Sequence, residues 1–550
     1  MKFKLIITYL LLAISFNSMF AQSITVTPKK AYDYYNEVGI NTHLRWDTSV
    51  YYTRFDDIIY PELQKLGIRN VRDELPYSKF MRISDTALVQ KRFLKLHDSL
   101  GINMCFLLTS RLVVDTPMQR DSAAYLSVLE NSAALRNATK YMEGYNEPDM
   151  NIYNWYPVNW DTLTYNMQRG LYNRMQSGVL SFIPTLSASF IEYWSVPSRT
   201  DRMASMLPPV RNYFDFANFH SYDTGKDSST MFPGSHYDIT DSRYDTIRRS
   251  KPWVLTETGY ENARYWNLPA TASYSQYGNH YLSELATAKY CSVLFMEMFG
   301  RGAKTIYTYE LMDQNTSDSA YSETNFGLLH SDGTEKPSFT AIKNTLSLLK
   351  DTSAAFSPIP LTFSLTGDTA GIKYAVYQKY NGNYILALWQ GISTGVCYDF
   401  LTFTDLPADS QLVQVTFPFQ YTTANVYQPL HTDAPLYSYS NTNIFNVAVP
   451  DHLLLIEVSP ELLSVPASTM PGAYSIYPNP SKDLFYVKGL HTKGEEFFIY
   501  SADGRQVLQG TVQSGSSAIN CTSLCPGFYL LKLKSEHGIT DLVTGISIAK

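Results

Sequence analysis

Two short stretches carry the residue types that acid–base and nucleophilic chemistry needs. The first is Tyr145-Asn146-Glu147-Pro148-Asp149, which follows the β-prone residues Thr139, Tyr141 and Met142. It sets a carboxylate where a strand gives way to a loop, directly after an amide. The second is Pro252-Trp253-Val254-Leu255-Thr256-Glu257-Thr258-Gly259, another apolar run that ends in Glu and then Gly. A carboxyl group that holds its proton can give it to a leaving oxygen, while the amide beside it holds an adjacent hydroxyl. Cleaving an acetal through an oxocarbenium-like transition state needs a second carboxylate across the scissile bond. Glu147 and Glu257 are the pair the sequence offers for those two roles. Glu143 precedes Glu147 by four positions, and the period of two along a strand puts both on one face. Lacking the preceding Asn, Glu143 is expected to be a buried partner deeper in the fold.

A particular scaffold is needed to bring two strand-end glutamates together. Between residues 38 and 350, short apolar or β-branched runs alternate with amphipathic stretches. The pattern predicts strands at Gly39–His43, Ile68–Arg72, Asn103–Leu108, the run into Asn146-Glu147, Pro184–Phe190, Asp215–His220, Trp253–Glu257 and Lys304–Glu310. It predicts helices at Phe55–Leu66, Asp85–Leu100, Asp121–Leu135, Thr162–Ser177, Tyr281–Phe299 and Ser338–Leu349. Repeated strand-then-helix units of this kind specify an α/β fold, a (β/α)8 TIM barrel over residues 22–350, whose functional groups gather at the C-terminal ends of the strands. Residues 351–460 change character to short alternating strands such as Tyr374–Tyr377 and Tyr384–Trp389, which predict a small antiparallel β-sandwich. A linker at 461–472 holds Pro466, Ser468, Pro471 and Gly472, and a β-rich unit at 473–550 closes the chain.

Residues 1–21 read as a secretory signal peptide: Lys2 and Lys4, an apolar run from Leu5 to Phe20, then a small residue, Ala21. Ser15, Asn17 and Ser18 break the apolar run, which weighs against a membrane-anchoring helix, and no later segment is long and apolar enough to span a bilayer. The formal net charge of −6 argues against a nucleic-acid partner and against a polybasic membrane contact. Tyrosine is abundant, with 43 residues; such rings stack on sugar C–H faces but also simply pack strands. The five cysteines form neither a metal-ligand cluster nor a disulfide framework, although Cys521 and Cys525 are spaced to pair or to remain thiols. Neither a metal nor an organic cofactor is implied.

Asn146-Glu147-Pro148 ending the fourth strand, with Glu257 ending the seventh, resembles clan A of the glycoside hydrolases over about residues 24–460. The resemblance implies a retaining mechanism with Glu147 as general acid/base and Glu257 as nucleophile, their carboxyl groups about 5–5.5 Å apart. In Phe219-His220-Ser221-Tyr222 it implies that Tyr222 hydrogen-bonds Glu257 and that His220 contacts the sugar. It implies that Arg72 steadies the nucleophile, though Arg72 is equally placed to pair with Asp73 or Glu74, and His220 to be a core histidine. Asn146, His43 and Glu310 are further substrate-binding candidates, with Asn41 and Asp313 as weaker ones. Asn325–Leu329 and Asp332–Phe339 resemble the ending of the eighth strand–helix unit in several families of that clan, and a barrel followed by a sandwich is loosely similar to its family 39. Insertions at 191–201 and 224–237 are expected to wall the cleft.

Tyr474–Ser481, Phe498–Arg505 and Leu524–Leu530 resemble the three blocks of the C-terminal sorting domain of the type IX secretion system. That resemblance implies the type IX machinery as a partner, removal of the domain by a cell-surface protease, and a location on the outer cell surface or outside the cell. A second carbohydrate-binding β-domain is the other reading of this unit. The expectation for the whole chain is a secreted retaining glycoside hydrolase acting on a polysaccharide or oligosaccharide. A glycan-binding protein on an inactive barrel, or a transglycosylase with the same residues, are its rivals.

Overall fold

The structure, a computed structural model, describes residues 23–77, 83–108, 125–148, 160–190, 209–223, 233–262, 282–314, 324–397, 403–460, 475–490, 495–501, 505–513, 515–534 and 540–549. The expected signal peptide, the linker, the 191–201 insertion and most of the 224–237 insertion lie outside these residues. Two compact units result, 1–460 and 461–550.

Strands β1 (Ile24–Val26) and β2 (Lys29–Lys30) come first and join the second sheet described below. The barrel follows: β3 (Val38–Asn41), β4 (Asn70–Glu74), β5 (Asn103–Leu108), β6 (Thr139–Tyr145), β7 (Ala217–His220), β8 (Trp253–Thr258) and β9 (Ile306–Thr308). All neighbours are parallel, in the order β6-β5-β4-β3-β9-β8-β7. The gap between β6 and β7 is closed by residues 185–190, which bridge Met142 and Asn146 on one side and Phe216 and Phe219 on the other. The expected fifth strand is therefore an irregular stave that touches both neighbours through single bridges. Strands β3 and β8 are buried along their whole length, as parallel strands covered on both faces must be.

The surrounding helices end where local chemistry dictates. Ser283 caps the helix Glu284–Gly300 by accepting from the Ala286 N–H at 3.0 Å, and Pro337 opens Pro337–Leu349 at a position needing no N–H donor. Gly67 ends Tyr60–Leu66 with φ at 73°, a left-handed cap that glycine adopts without strain. The helix Ser235–Arg248 has no counterpart in the sequence reading, because its sequence is polar; among its described side chains Tyr237, Tyr244 and Ile247 reach the core. Among the described residues no helix is long and apolar enough to cross a membrane.

Inside the barrel, side chains stack in layers. Cys105, Tyr141, Leu186, Val254 and Tyr307 form an apolar layer. One pleat further along the strands come Arg72, Glu143, Asn218 and Thr256, all buried. Two register shifts matter here. Opposite β7, strand β8 carries one extra residue: Phe219 pairs with Leu255, but His220 pairs with Glu257. Opposite β5, strand β6 carries an extra residue at Gly144. Such bulges re-aim side chains beside functional sites. A Cβ on Gly144 would stand 2.2 Å from Gln168 Oε1 and 2.7 Å from the Ala188 backbone nitrogen. Gly144→Ala is therefore expected to destabilise the fold by about 1–3 kcal/mol, measured by chemical denaturation.

The second sheet contains β10 (Leu361–Gly367), β11 (Ile372–Gln378), β12 (Tyr384–Gln390), β15 (Gln411–Tyr427), β16 (Tyr437–Val449) and β17 (Leu454–Pro460), with β13 (Gly395–Cys397) and β14 (Phe403–Asp405) as a separate pair. The expected sandwich is realised as one hydrogen-bonded sheet rather than two separate ones. Strand β15 pairs with β10 through its first half and with β17 through its second, with a register shift after Thr416. The sheet thereby folds over a core of Phe363, Leu386, Val415, Phe417, Val447 and Ile456. Its other face, through Tyr377, Ile385, Trp389 and Leu455, packs into the main barrel core.

In the second unit, β18 (Ser475–Tyr477), β19 (Leu484–Leu490) and β22 (Gly515–Asn520) form one sheet. Strands β20 (Glu495–Ser501), β21 (Gln506–Val512), β23 (Gly527–Lys534) and β24 (Thr540–Ile548) form another, around Phe485, Val487, Ile499, Leu531 and Leu533. Cys521 and Cys525 do not pair: Cys521 is buried and Cys525 is exposed.

Candidate active site

Arg72 is the hub of the C-terminal end of the barrel. Rooted on β4 and buried, it reaches four neighbours with its three nitrogens. Nε and Nη2 donate to the two oxygens of Glu143 at 2.6 and 2.8 Å. Nη1 donates to Asn41 Oδ1 at 2.8 Å and to Glu257 Oε1 at 2.5 Å, and Nη2 also reaches Asn146 Oδ1 at 2.6 Å. Burial works against its charge, but Glu143 and Glu257 outweigh that and fix it as a cation. The alternative partners are engaged elsewhere: Asp73 accepts from the Thr42 hydroxyl and the Leu44 N–H, and Glu74 pairs with Arg45. Glu143 is fully buried; burial pushes its carboxyl up, but Arg72 prevails and holds it below the usual range.

Glu257 ends β8 with both oxygens occupied, Oε1 by Arg72 and Oε2 by the Tyr222 hydroxyl at 2.7 Å. Burial, and then the charges of Glu257 and Glu147, push the Tyr222 hydroxyl well above its ordinary range, so it stays protonated and donates. Glu147 sits just beyond β6 with φ at 48°, a left-handed conformation that few non-glycine residues adopt, and its N–H donates to the Ser189 carbonyl at 2.9 Å. Burial pushes its carboxyl up to about 7, with Glu143 adding to the rise and Arg72 opposing it. The two glutamates thus share a site but not an environment: one is held by a guanidinium and a phenol, the other faces a neutral imidazole.

Oxygens of Glu147 and Glu257 and a ring nitrogen of His220 lie within 4.8 Å of one another. That crowding is also cation-sized, but Glu257 is already satisfied and a buried guanidinium 2.5 Å away repels a second positive charge. Of the two roles expected for His220, the structure matches the core histidine. Its ring is 1% exposed, with Nδ1 2.6 Å from Glu147 Oε1 and Nε2 3.1 Å from Thr256 Oγ1. Burial depresses its pKa to about 4, with Arg72 assisting and Glu257 and Glu143 opposing. It is therefore neutral near pH 7.

The mouth of the barrel is lined by rings. His43 stacks on Trp46 at 3.7 Å, and contacts run on from His43 to Tyr309, from Tyr309 to Phe326 and from Phe326 to Tyr222. Under this arc lies Glu310, fully buried, its oxygens receiving Tyr51 and Gln314 at 2.8 and 2.7 Å, with His43 Nε2 3.1 Å away. Asn41 donates to the Thr256 and Thr308 carbonyls and turns its oxygen to Arg72. Asp313 is engaged by Lys336 at 2.8 Å. Sequence reasoning did not single out Thr256, Asn218, Tyr51 or Trp46. Their types carry no signal; only the bulge at Thr256 and the packing of the strand ends bring them in.

Comparison with known proteins bears on both units. A family described as a secretion system C-terminal sorting domain matches residues 475–543. Residues 475–543 are a secretion-system sorting domain. Among solved structures, a glucosidase from Croceicoccus marinus superposes with a TM-score of 0.50 at 14% identity, over 80% of this chain and 99% of that one. A family 39 glycoside hydrolase from the gut symbiont Bacteroides cellulosilyticus matches at 16% identity and a TM-score of 0.47, over 79% of this chain and 83% of that one. At these identities the likeness is one of fold. A search of curated proteins finds no match. The sorting domain makes a secretion machinery a partner of this chain, with the cell surface or the medium as its destination.

Proposed function

We propose that the first unit is a retaining O-glycoside hydrolase of the clan A type, acting on a polysaccharide or oligosaccharide by double displacement. The carrying observation is the pair of carboxylates within 4.8 Å in opposed environments, Glu257 against Arg72 and Tyr222, Glu147 against a neutral His220. In the first step Glu257 attacks the anomeric carbon while Glu147 gives its proton to the departing oxygen. In the second, Glu147 takes a proton from the water that releases the sugar from Glu257. The ring-lined mouth suits the C–H faces of a sugar, with His43 placed to meet a hydroxyl; the predicted substrate contact Glu310 is instead fully buried with both oxygens engaged, and supports the floor beneath. The N-terminal signal peptide and the sorting domain together route the enzyme out of the cell.

Reducing-sugar release from a panel of polysaccharides and aryl glycosides tests this reading, with Glu147→Gln and Glu257→Gln beside the wild type. Binding of one glycan with no hydrolysis anywhere on the panel would move the assignment to a binding protein, and new longer oligosaccharides would move it to transfer. Retained anomeric configuration in the first-formed product, followed by NMR, tests the double displacement.

The pH profile has a defined sign. Glu147 acts while protonated, and its carboxyl is raised to about 7, so kcat/KM is expected to fall as pH rises through about 7. Glu147→Gln should abolish that basic limb on an aryl glycoside whose leaving group needs no proton.

A further inference from the structure

The hydrogen-bond chain behind Glu147 has a direction, and the direction comes from a threonine. The Thr256 hydroxyl owns one hydrogen and has two acceptors for it, Asn218 Oδ1 at 2.8 Å and Glu143 Oε1 at 3.3 Å. Glu143 is a carboxylate held by two donors from Arg72, so it only accepts. Exchanging the two ends of the Asn218 amide changes nothing essential, because Glu143 still draws the Thr256 hydrogen. With that hydrogen committed, Thr256 Oγ1 meets His220 Nε2, 3.1 Å away, as an acceptor. A neutral imidazole has one N–H, and here it belongs on Nε2. Nδ1 is then a bare acceptor 2.6 Å from Glu147 Oε1, a contact that is attractive only when Glu147 carries a proton to donate.

We propose that Thr256 is a positioning residue that sets the tautomer of His220 and, through it, keeps the proton on Glu147. It acts through His220 and not on the substrate. The charged and titratable groups facing this chain are Glu257, Arg72, Glu143 and Tyr222. Glu257 Oε2, 3.4 Å from Nδ1, favours the other tautomer, but that contact is longer and the oxygen already receives Tyr222 at 2.7 Å. No bond other than hydrogen bonds changes, and the proton stays on Glu147 until the leaving oxygen takes it. The consequence for catalysis rests on the reading of Glu147 as the acid; the tautomer itself does not.

The deciding experiment is 15N NMR of the full chain labelled at histidine, with the His220 signals assigned by their loss in His220→Gln. Below the Glu147 pKa the wild type is expected to show a protonated Nε2 and a bare Nδ1. Thr256→Val, which keeps the shape and loses the acceptor, should populate the Nδ1–H form. The basic limb of its kcat/KM profile should move down by about one pH unit, with KM unchanged. Thr256→Ser should restore both. A wild type with the Nδ1–H tautomer overturns the proposal without any variant, so misfolding of Thr256→Val does not leave it open. A tautomer or a pH limb that Thr256→Val leaves unmoved also overturns it. An Nε2–H wild type that cleaves no glycoside overturns instead the reading of Glu147 as acid.

Discussion

Glu257→Gln is expected to lower kcat by about 10^4-fold or more while leaving the protein folded and able to bind its glycan. The side chain keeps its shape and its oxygen, so Arg72 Nη1 keeps an acceptor, and Tyr222 can accept from the new amide as it formerly donated to the carboxylate. One negative charge is lost beside Arg72, but Glu143 still neutralises that cation with two hydrogen bonds. What disappears is the nucleophile: an amide oxygen does not form the glycosyl ester on which double displacement depends. The contrast with Glu147→Gln is diagnostic. That variant should lose about 10^2–10^4-fold on substrates with poor leaving groups and far less on activated aryl glycosides, where the first step needs no proton. Steady-state rates on both substrate types, with circular dichroism and glycan affinity gels as controls for folding and binding, make the check. Activity surviving in Glu257→Gln would sink its assignment as nucleophile.

The barrel and its two glutamates were legible in sequence because both write themselves in local patterns. Alternation of apolar runs with amphipathic stretches marks the strands, and a Glu closing a buried strand stands where the barrel opens. Glu143 was legible as a buried group deeper in the barrel, although the extra residue at Gly144 breaks the period of two that related it to Glu147, and its partner is Arg72. The same rule hides Thr256. Strict alternation puts Thr256 and Glu257 on opposite faces of β8, yet both point inward, because the extra residue opposite Phe219 and His220 lets the strand turn twice toward the interior. No residue type announces that shift. His220 was placed at the correct strand end with two roles left open, a sugar contact or a core histidine, since sequence does not say which of two neighbouring groups a ring will face. The helix Ser235–Arg248 escaped because it is polar over most of its length. The sandwich came out as one folded sheet because β15 is long enough, at 17 residues, to serve both halves.

Arg72→Met should cost about 3–5 kcal/mol of stability, far more than any change in the glutamates themselves. Methionine fills much of the volume, so the loss is electrostatic: Glu143, which has no exposure at all, is left with no cation, and Glu257 loses one of its two donors. The pH dependence carries the sign. In the wild type Arg72 overcomes burial and holds the Glu143 carboxyl below its ordinary value, so that stabilisation is present above the unfolded-state pKa and fades as pH falls through the lower folded value. Without Arg72, burial is unopposed and the carboxyl is raised; the penalty is largest at neutral pH and is relieved once Glu143 takes up a proton. The gap between variant and wild type should therefore be widest at neutral pH and narrow as pH falls, first through the variant's raised Glu143 value above about 4.5 and then through the wild type's lowered one. Denaturant midpoints across that range would show it. A gap independent of pH would mean that Arg72 acts by packing alone. Glu143→Gln separates the two roles of the residue. It relieves the charge left behind in an Arg72→Met background, and should recover stability there without recovering turnover, because Glu257 still lacks the Arg72 donor that holds its Oε1.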